Sequence, residues 1–211
     1  MQQWDNWAMP TPQARAIPRL ILGSTSTYRR ELMSRLQRPF EVVSPQVTET
    51  ARPGEQTAEL ALRLALEKAH EVAGRHRDAV VIGADQVADL NGVALGKPGT
   101  HARAVEQLQA LRGQRVVFHT AVAVVCLTSG YAQARMATAV VRFRDLTDAE
   151  IERYLVLDQP YDCAGSAKCE SLGIALLDSI ESDDPTALIG LPLIRTSALL
   201  RDAGIDVLAP V

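Results

Sequence analysis

Short apolar runs alternate with amphipathic stretches along most of the chain. Leu20-Ile21-Leu22 ends at Gly23 and predicts a buried strand. Ser24-Thr25-Ser26 then offers capping oxygens, and Tyr28 to Leu36 is patterned as a helix. Phe40 to Val43 reads as a second strand. Thr57 is placed to cap a long amphipathic helix to about His76, with Leu60, Leu64, Ala65, Lys68, Ala69 and Val72 at helical spacing. Ala79 to Ile82 predicts a strand that ends at Gly83-Ala84-Asp85. Gln86 to Leu90 and Val93 to Leu95 flank Asn91-Gly92, a favoured hairpin turn. Thr100 caps a helix through Leu111, which Gly113 stops.

Val116 to Leu127 and Met136 to Phe143 predict long strands around a Thr128-Ser129-Gly130 turn. In the second, Thr138, Val140 and Arg142 alternate with Ala139, Val141 and Phe143, so one face is wet. Thr147-Asp148-Ala149-Glu150 matches a capping box and opens a helix to about Leu157. A Gly/Ser/Lys-rich loop precedes a strand at Ile174 to Leu177. An acidic loop, Glu181 to Asp184, precedes a last helix over about Leu193 to Asp202. Helices do not alternate strictly with strands, and hairpins fill the middle. The expected class is α/β, with a mixed twisted sheet flanked by helices. Residues 1–16 are polar and proline-punctuated, with Trp4 and Trp7, and read as a flexible leader to a domain over 17–211.

Composition narrows the function classes. Hydrophobic residues make up 47% of 211 and charged residues 22%, enough for a real core and too apolar for global disorder. Aromatics at 4% leave few stacking platforms for single-stranded nucleic acid. A net charge of −3 argues against long polyanions, while a small polyanion still fits a local basic pocket. The three cysteines, Cys126, Cys163 and Cys169, have no metal-site spacing, which suits a reduced cytoplasmic protein. Neither a signal peptide nor a membrane span is expected.

Four stretches can carry chemistry. Ser24 to Arg30 lies at a strand-to-helix junction, where free N–H groups, hydroxyls, Arg29 and Arg30 suit a phosphate; an ordinary cap with solvated arginines would look the same. Asp85, with Gln86 beside it, follows a buried strand and can hold a metal or deprotonate water, or merely terminate the strand. Lys97 in Gly96-Lys97-Pro98 can reach a phosphate or face solvent. It is not a P-loop lysine, because Pro98 stands where a Ser or Thr should bind Mg²⁺. Cys163 to Glu170 is rich in small residues, with Lys168 available to phosphate and Glu170 to a base edge or a metal. A flexible surface loop is the alternative. Cys163 has no local histidine to activate it as a nucleophile. Lys68 and Glu49 complete the set, each also open to a solvated reading. The four histidines are scattered without metal-ligand spacing.

Taken in order, these pieces resemble a known family. Leu22 to Arg30, Val47-Thr-Glu-Thr50, Glu67-Lys-Ala69, Gly83-Ala-Asp-Gln86, Gly96-Lys-Pro98, Cys163-Ala-Gly-Ser166, Lys168-Cys-Glu170 and Gly190-Leu-Pro192 are similar to motifs of the Maf family of nucleotide pyrophosphatases. The resemblance runs from about Pro18 to the C-terminus. Cys-Ala-Gly-Ser with a following Lys-x-Glu, and an aromatic before the arginine pair, resemble the branch acting on 7-methyl-GTP. Departures are Thr27 for a usual Pro, Thr48 for an Asp, Ala84 for a Ser or Thr, and Tyr28 for a Trp. Cys169 and Ser171-Leu172 vary the substrate loop.

The resemblance implies an inosine triphosphate pyrophosphatase-like fold of two lobes around a cleft, in a homodimer. It also implies removal of modified nucleotides from the precursor pool. On that reading Asp85 is the base, and Glu49 and Asp85 hold Mg²⁺ or Mn²⁺. Ser24, Arg29, Arg30, Lys68, Lys97 and Lys168 bind the triphosphate, and Tyr28, Gln86 and Glu170 read the base. The alternatives are the same chemistry on UTP, dTTP or a damaged purine, and a nucleotide-binding regulator of cell division.

Overall fold

The computed structural model describes residues 18–209; the expected leader lies outside the described residues. The chain forms β1 (Leu20–Gly23), α1 (Thr27–Ser34), β2 (Glu41–Val43), α2 (Thr57–Arg75), β3 (Val80–Leu90) and β4 (Val93–Leu95). Then come α3 (His101–Leu111), β5 (Arg115–Cys126), β6 (Tyr131–Phe143), α4 (Asp148–Asp158), β7 (Leu177–Ser182) and α5 (Leu193–Asp202). One seven-stranded sheet runs β2-β1-β3-β5-β6-β7, with β4 also on β3. β1 pairs with β2 and β3 in parallel, and every other pairing is antiparallel. The mixed sheet expected from the hairpins is therefore present.

Several starts and stops follow their local chemistry. Ser26 caps α1, Thr100 caps α3, and Thr147 with Glu150 forms the capping box of α4. Asn91 and Gly92 both take positive φ, as a two-residue hairpin turn requires. No described helix is long and apolar enough to cross a membrane.

Four boundaries differ from expectation. β6 begins at Tyr131 rather than at Met136. Thr57 does not cap α2. Gln56 holds that position, with its N–H donated to Glu59, and the Thr57 hydroxyl donates instead to Asp89. The strand expected over Ile174 to Leu177 is a 3₁₀ segment, Leu172–Leu176, and β7 begins where it ends. β7 is an exposed edge strand containing Asp178 and Glu181, so it carries no apolar signal. Finally, β3 does not stop before Asp85 but continues to Leu90. The small residues at 83 and 84 mark a close approach of another element rather than a strand end.

That approach is made by α2. A Cβ placed on Gly83 would lie 2.3 Å from the Ala65 carbonyl oxygen and 2.6 Å from the Ala69 nitrogen. Along β3 successive side chains take opposite faces. Val80, Ile82 and Ala84 join a core cluster with Leu32, Met33, Leu199 and Leu200 of α1 and α5. Val81 and Val87 join Leu60, Leu64, Ala65 and Val72 of α2 on the other face. A third cluster packs α3 and α4 against the far halves of β5 and β6, around Leu108, Phe118, Val141, Phe143 and Leu155. The first two clusters cover the two faces of one part of the sheet and the third covers the other part, and the long strands β5 and β6 run through both parts.

Gly83→Ala should lower unfolding stability by about 2 kcal/mol or more, because the added methyl meets backbone that no rotamer change relieves. Urea denaturation against wild type measures it. A change below about 0.5 kcal/mol would mean that α2 moves freely on β3.

Candidate active site

β1 leaves the sheet at Gly23, opposite Gly83, while β4 joins the same edge of β3 only at Ala88. The gap between them opens β3 at Asp85 and Gln86. A cleft of about 530 Å³ lies there, lined among others by Ser24, Arg29, Glu49, Lys68, Asp85 and Lys97. That volume suits a nucleotide-sized ligand.

Asp85 shares the α2 face of β3 with Gly83, two residues before it. One helical turn beyond the Ala65 contact, α2 presents Lys68, and its Nζ lies 2.7 Å from Asp85 Oδ1. The same Nζ lies 2.5 Å from Glu49 Oε1. The Lys68 and Asp85 side chains are 6% and 10% exposed, whereas Glu49 is 61% exposed. Burial pushes the Asp85 carboxyl above its ordinary 3.8, although Lys68 and Arg29 pull it down. For Glu49, burial also raises the pKa. The hydrogen bond from Lys68 and the charges of Lys68, Arg29 and Lys97 outweigh it, and the net direction is down.

Arg29 enters from the first turn of α1. Its Nε donates to the Gly190 carbonyl at 2.9 Å, and burial lowers its pKa while Asp85 and Glu49 raise it. A guanidinium stays charged regardless. Residues 24–26 line the cleft ahead of the helix and Thr27 and Tyr28 line it in the first turn, so the N-terminus of α1 and buried Ser24 face the same space. That arrangement suits an anion.

The far end of the cleft has different chemistry. The Tyr28 hydroxyl donates to Asp162 at 3.5 Å, and the Cys163 thiol lies 3.8 Å from the Tyr28 oxygen. Glu170 lines the same end. Burial first, then Cys163, Asp162 and Glu170, raise the Tyr28 pKa, so the phenol stays neutral. Burial and Asp162 push the Cys163 thiol up to about 12. A thiol held protonated is no nucleophile, in keeping with its lack of a histidine.

Two expected phosphate ligands do not line the cleft. Arg30 is exposed on α1, a helical step of about 100° from Arg29. Lys168 donates from Nζ to the Asp158 carbonyl at 3.1 Å, at the C-terminus of α4 where the helix dipole favours a cation. Its backbone N–H is held by the Tyr154 oxygen at 3.0 Å. Gln86 lines the cleft, but its amide has a structural task. Nε2 donates to Thr120 Oγ1 and to the carbonyls of Ala187 and Leu188, at 2.9 to 3.0 Å. Two carbonyl acceptors identify that end as the nitrogen.

Sequence reasoning missed residues that build the site without displaying chemistry. Gln107 on α3 donates to the Gly96 carbonyl at 3.0 Å and accepts from Ser166 at 2.6 Å, tying the Lys97 loop to the Cys163–Glu170 segment. Buried Thr120 on β5 fixes Ala187 at 2.9 Å. Neither had a signal beyond an isolated polar residue on a patterned element. Asp162 had one, its place beside Cys163 in the motif. Among the described residues no group of three or more His, Cys, Asp or Glu side chains stands ready for a metal. Among the described residues lining the cleft, Glu49 and Asp85 are the carboxylates paired with Lys68 at the cationic end.

A Maf-like protein family model matches residues 19–203. A 7-methyl-GTP pyrophosphatase of a Polaromonas species is 63% identical over 94% of this chain and 90% of its own length. A protein of the same name from Albidiferax ferrireducens is 63% identical over 90% of this chain and 96% of its own. The solved structure of the Staphylococcus aureus Ham1 protein is 16% identical with a TM-score of 0.45, over 60% of this chain and 72% of that one. With most of the chain matched by the family model and by these relatives, this protein belongs to the Maf family.

Proposed function

We propose that this protein is a nucleoside triphosphate pyrophosphatase that converts 7-methyl-GTP to 7-methyl-GMP and pyrophosphate, clearing a modified nucleotide from the precursor pool. The observation that carries the reading is the buried Asp85 beside Lys68 in a cleft that also holds Arg29, Lys97 and a helix N-terminus. The relatives named for this activity support it. Three free cysteines suit a cytoplasmic setting. A homodimer, as the family resemblance implies, is part of the same reading.

The triphosphate lies along Ser24, Arg29, Lys68 and Lys97. The charges of Arg29, Lys68 and Lys97 set against Asp85 and Glu49 give 3 − 2 = +1. A triphosphate brings several negative charges, more than that surplus offsets, so the donor set fits a divalent cation held by Glu49, Asp85 and phosphate oxygens. Mg²⁺ or Mn²⁺ would there polarise the attacking water and share the phosphate charge. Asp85 accepts the proton of that water as its oxygen bonds to the α-phosphorus. The bond from that phosphorus to the bridging oxygen breaks, and pyrophosphate leaves. Burial makes Asp85 a stronger base than a free carboxylate. Lys68 orients Asp85 and Glu49 together, and Arg29 and Lys97 stabilise the departing charge. At the other end, the Tyr28 ring stacks on the base and Glu170 faces the positive charge of an N7-methylated guanine.

Asp85→Asn keeps the shape and removes the base, so kcat should fall by at least about 10²-fold while binding persists. Reaction of wild type in ¹⁸O-water should label the monophosphate. Orthophosphate as the primary product would rule out this chemistry.

The pH profile tests the electrostatics. Asp85 must be ionised to act, and its folded-state pKa is raised, so the acidic limb of kcat/KM should lie above pH 3.8. Arg29 lowers the Asp85 pKa, hence Arg29→Gln should move that limb to higher pH. A limb that stays put on this substitution would remove Asp85 as its source.

Base choice is tested by pyrophosphate release from a panel of triphosphates. A desolvated charge pair and stacking together predict a preference for 7-methyl-GTP over GTP on the order of 10²-fold in kcat/KM. Glu170→Gln should erode it by slowing the methylated substrate alone, and Tyr28→Ala should weaken both. Equal kcat/KM for the two nucleotides in wild type would refute this base assignment and bring UTP, dTTP or a damaged purine forward.

A further inference from the structure

The segment between β2 and α2, residues 44–56, forms no helix or strand of its own, yet it carries Glu49 into the cleft. A row of charges on α2 holds it. Arg63, Glu67, Glu71 and Arg75 recur every fourth residue and so form one ridge along the helix. The segment runs antiparallel against that ridge. Arg75 donates to the Ser44 carbonyl at 2.9 Å, and Glu71 accepts from the Gln46 N–H at 3.0 Å. Arg52 donates to Glu67 at 3.0 Å.

Arg63 is the strongest member of this row. Its guanidinium donates to Glu55 through two nitrogens, at 2.5 and 2.8 Å, to Glu67 at 3.0 Å and to the Thr50 carbonyl at 3.1 Å. The Arg63 and Glu55 side chains are 14% and 9% exposed, against 66% for Arg52 and 40% for Arg75. Exposed pairs contribute little, whereas a forked, desolvated pair is both stronger and more directional. The hydrogen bonds from Arg63, then that from the Arg52 backbone, hold the Glu55 carboxyl down at about 2. The contact on Thr50 fastens the backbone one residue from Glu49. Glu49 itself is mostly exposed, and Lys68 is its one ion-pair partner among the described residues. A loop residue so placed would otherwise sample many conformations, and each ordered residue has an entropy cost.

We propose that Arg63 is a positioning residue for the hydrolysis: it clamps the 44–56 segment onto α2 so that the Glu49 carboxylate stands beside Lys68 and Asp85. Arg63 touches no substrate and acts through Glu49. This rests on Glu49, Lys68 and Asp85 being the working site.

Arg63→Gln keeps a polar side chain and removes the charged fork. Hydrogen exchange, read by mass spectrometry, should quicken by about 10-fold or more at amides of 45–55, with the second half of α2 unchanged. In the wild-type background kcat/KM should fall by about 10-fold or more. In a Glu49→Gln background the same change should cost less than about 2-fold, since the two act through one group. Should Arg63→Gln fail to fold, Glu55→Gln removes the negative charge and one of the two oxygens that the fork engages, and gives the same three readings. Unchanged exchange in the segment, or activity losses that simply multiply, would overturn the proposal. If wild type releases no pyrophosphate from any triphosphate, the functional reading fails, and the exchange measurement still decides whether Arg63 holds the segment.

Discussion

The contact between Lys68 and Asp85 is possible only because α2 lies directly on β3 at Gly83. Both charges are nearly out of water. An isolated charge in such a place is expensive, and removing one partner of a buried pair typically costs about 3–5 kcal/mol. Lys68 therefore offsets part of the cost that burial imposes on the Asp85 carboxylate. Ala65 and Ala69 are small enough to bring the helix backbone to the strand, and Lys68 sits on the turn that reaches Asp85. Any side chain at position 83 would lift α2 and separate the pair. One close approach thus supports the fold and places a carboxylate and a cation together.

Strand alternation extends this order to the rest of the cleft. Asp85 faces α2, so Gln86 faces the opposite layer, where its amide binds the loop before α5. Fully buried Asp184 organises that loop. Its carboxylate accepts from Thr186 and from the N–H groups of Ile194 and Arg195 at the start of α5. The loop then offers the Gly190 carbonyl to Arg29. Arg29 is thereby held from β3 through a loop more than a hundred residues away in the chain. The site is built from segments distant in sequence but adjacent across two faces of one strand.

That distance decides what was legible in the sequence. Elements with strong local signals were readable: the Thr147–Glu150 capping box, the Thr100 cap, the Asn91-Gly92 turn, and α5 with its apolar spacing; at α2 the threonine signal pointed to Thr57, one residue past the true cap, Gln56. Asp85 could be nominated from a carboxylate beside small residues after an apolar run, whereas Lys68 read equally well as a solvated helix residue and gained its role from the family resemblance. The dipeptide Gly83-Ala84 was misread as a strand end, since a helix pressed on a strand leaves the same trace as a turn. Edge strand β7 left no apolar pattern to find. Arg30 and Lys168 carry the right charge, but composition does not say where a side chain points. Arg30 lies a helical step of about 100° from Arg29, and the Lys168 ammonium is bound to the carbonyl end of α4, with Asp162 Oδ1 at 3.9 Å. Gln107, Thr120 and Arg63 act only through backbone groups or other side chains, so nothing local distinguishes them from surface polar residues.

The cleft that results has two electrical ends. Arg29, Lys68, Lys97 and the N-terminus of α1 meet at one, while Asp162 and Glu170 flank the Tyr28 ring at the other. A ligand negative at one end and positive at the other gains from both in a single orientation. Turned around, it would set phosphates against carboxylates and a cationic ring against arginine and lysine. Exclusion of that pose matters as much as attraction to the right one, since specificity is a difference between alternatives. On the proposed reading, an uncharged base would keep the attraction of its phosphates but lose the second anchor, and with it part of the constraint on where the α-phosphorus lies relative to Asp85. Charge on the base would then affect how well the reacting atoms are aligned as well as how tightly the nucleotide is held.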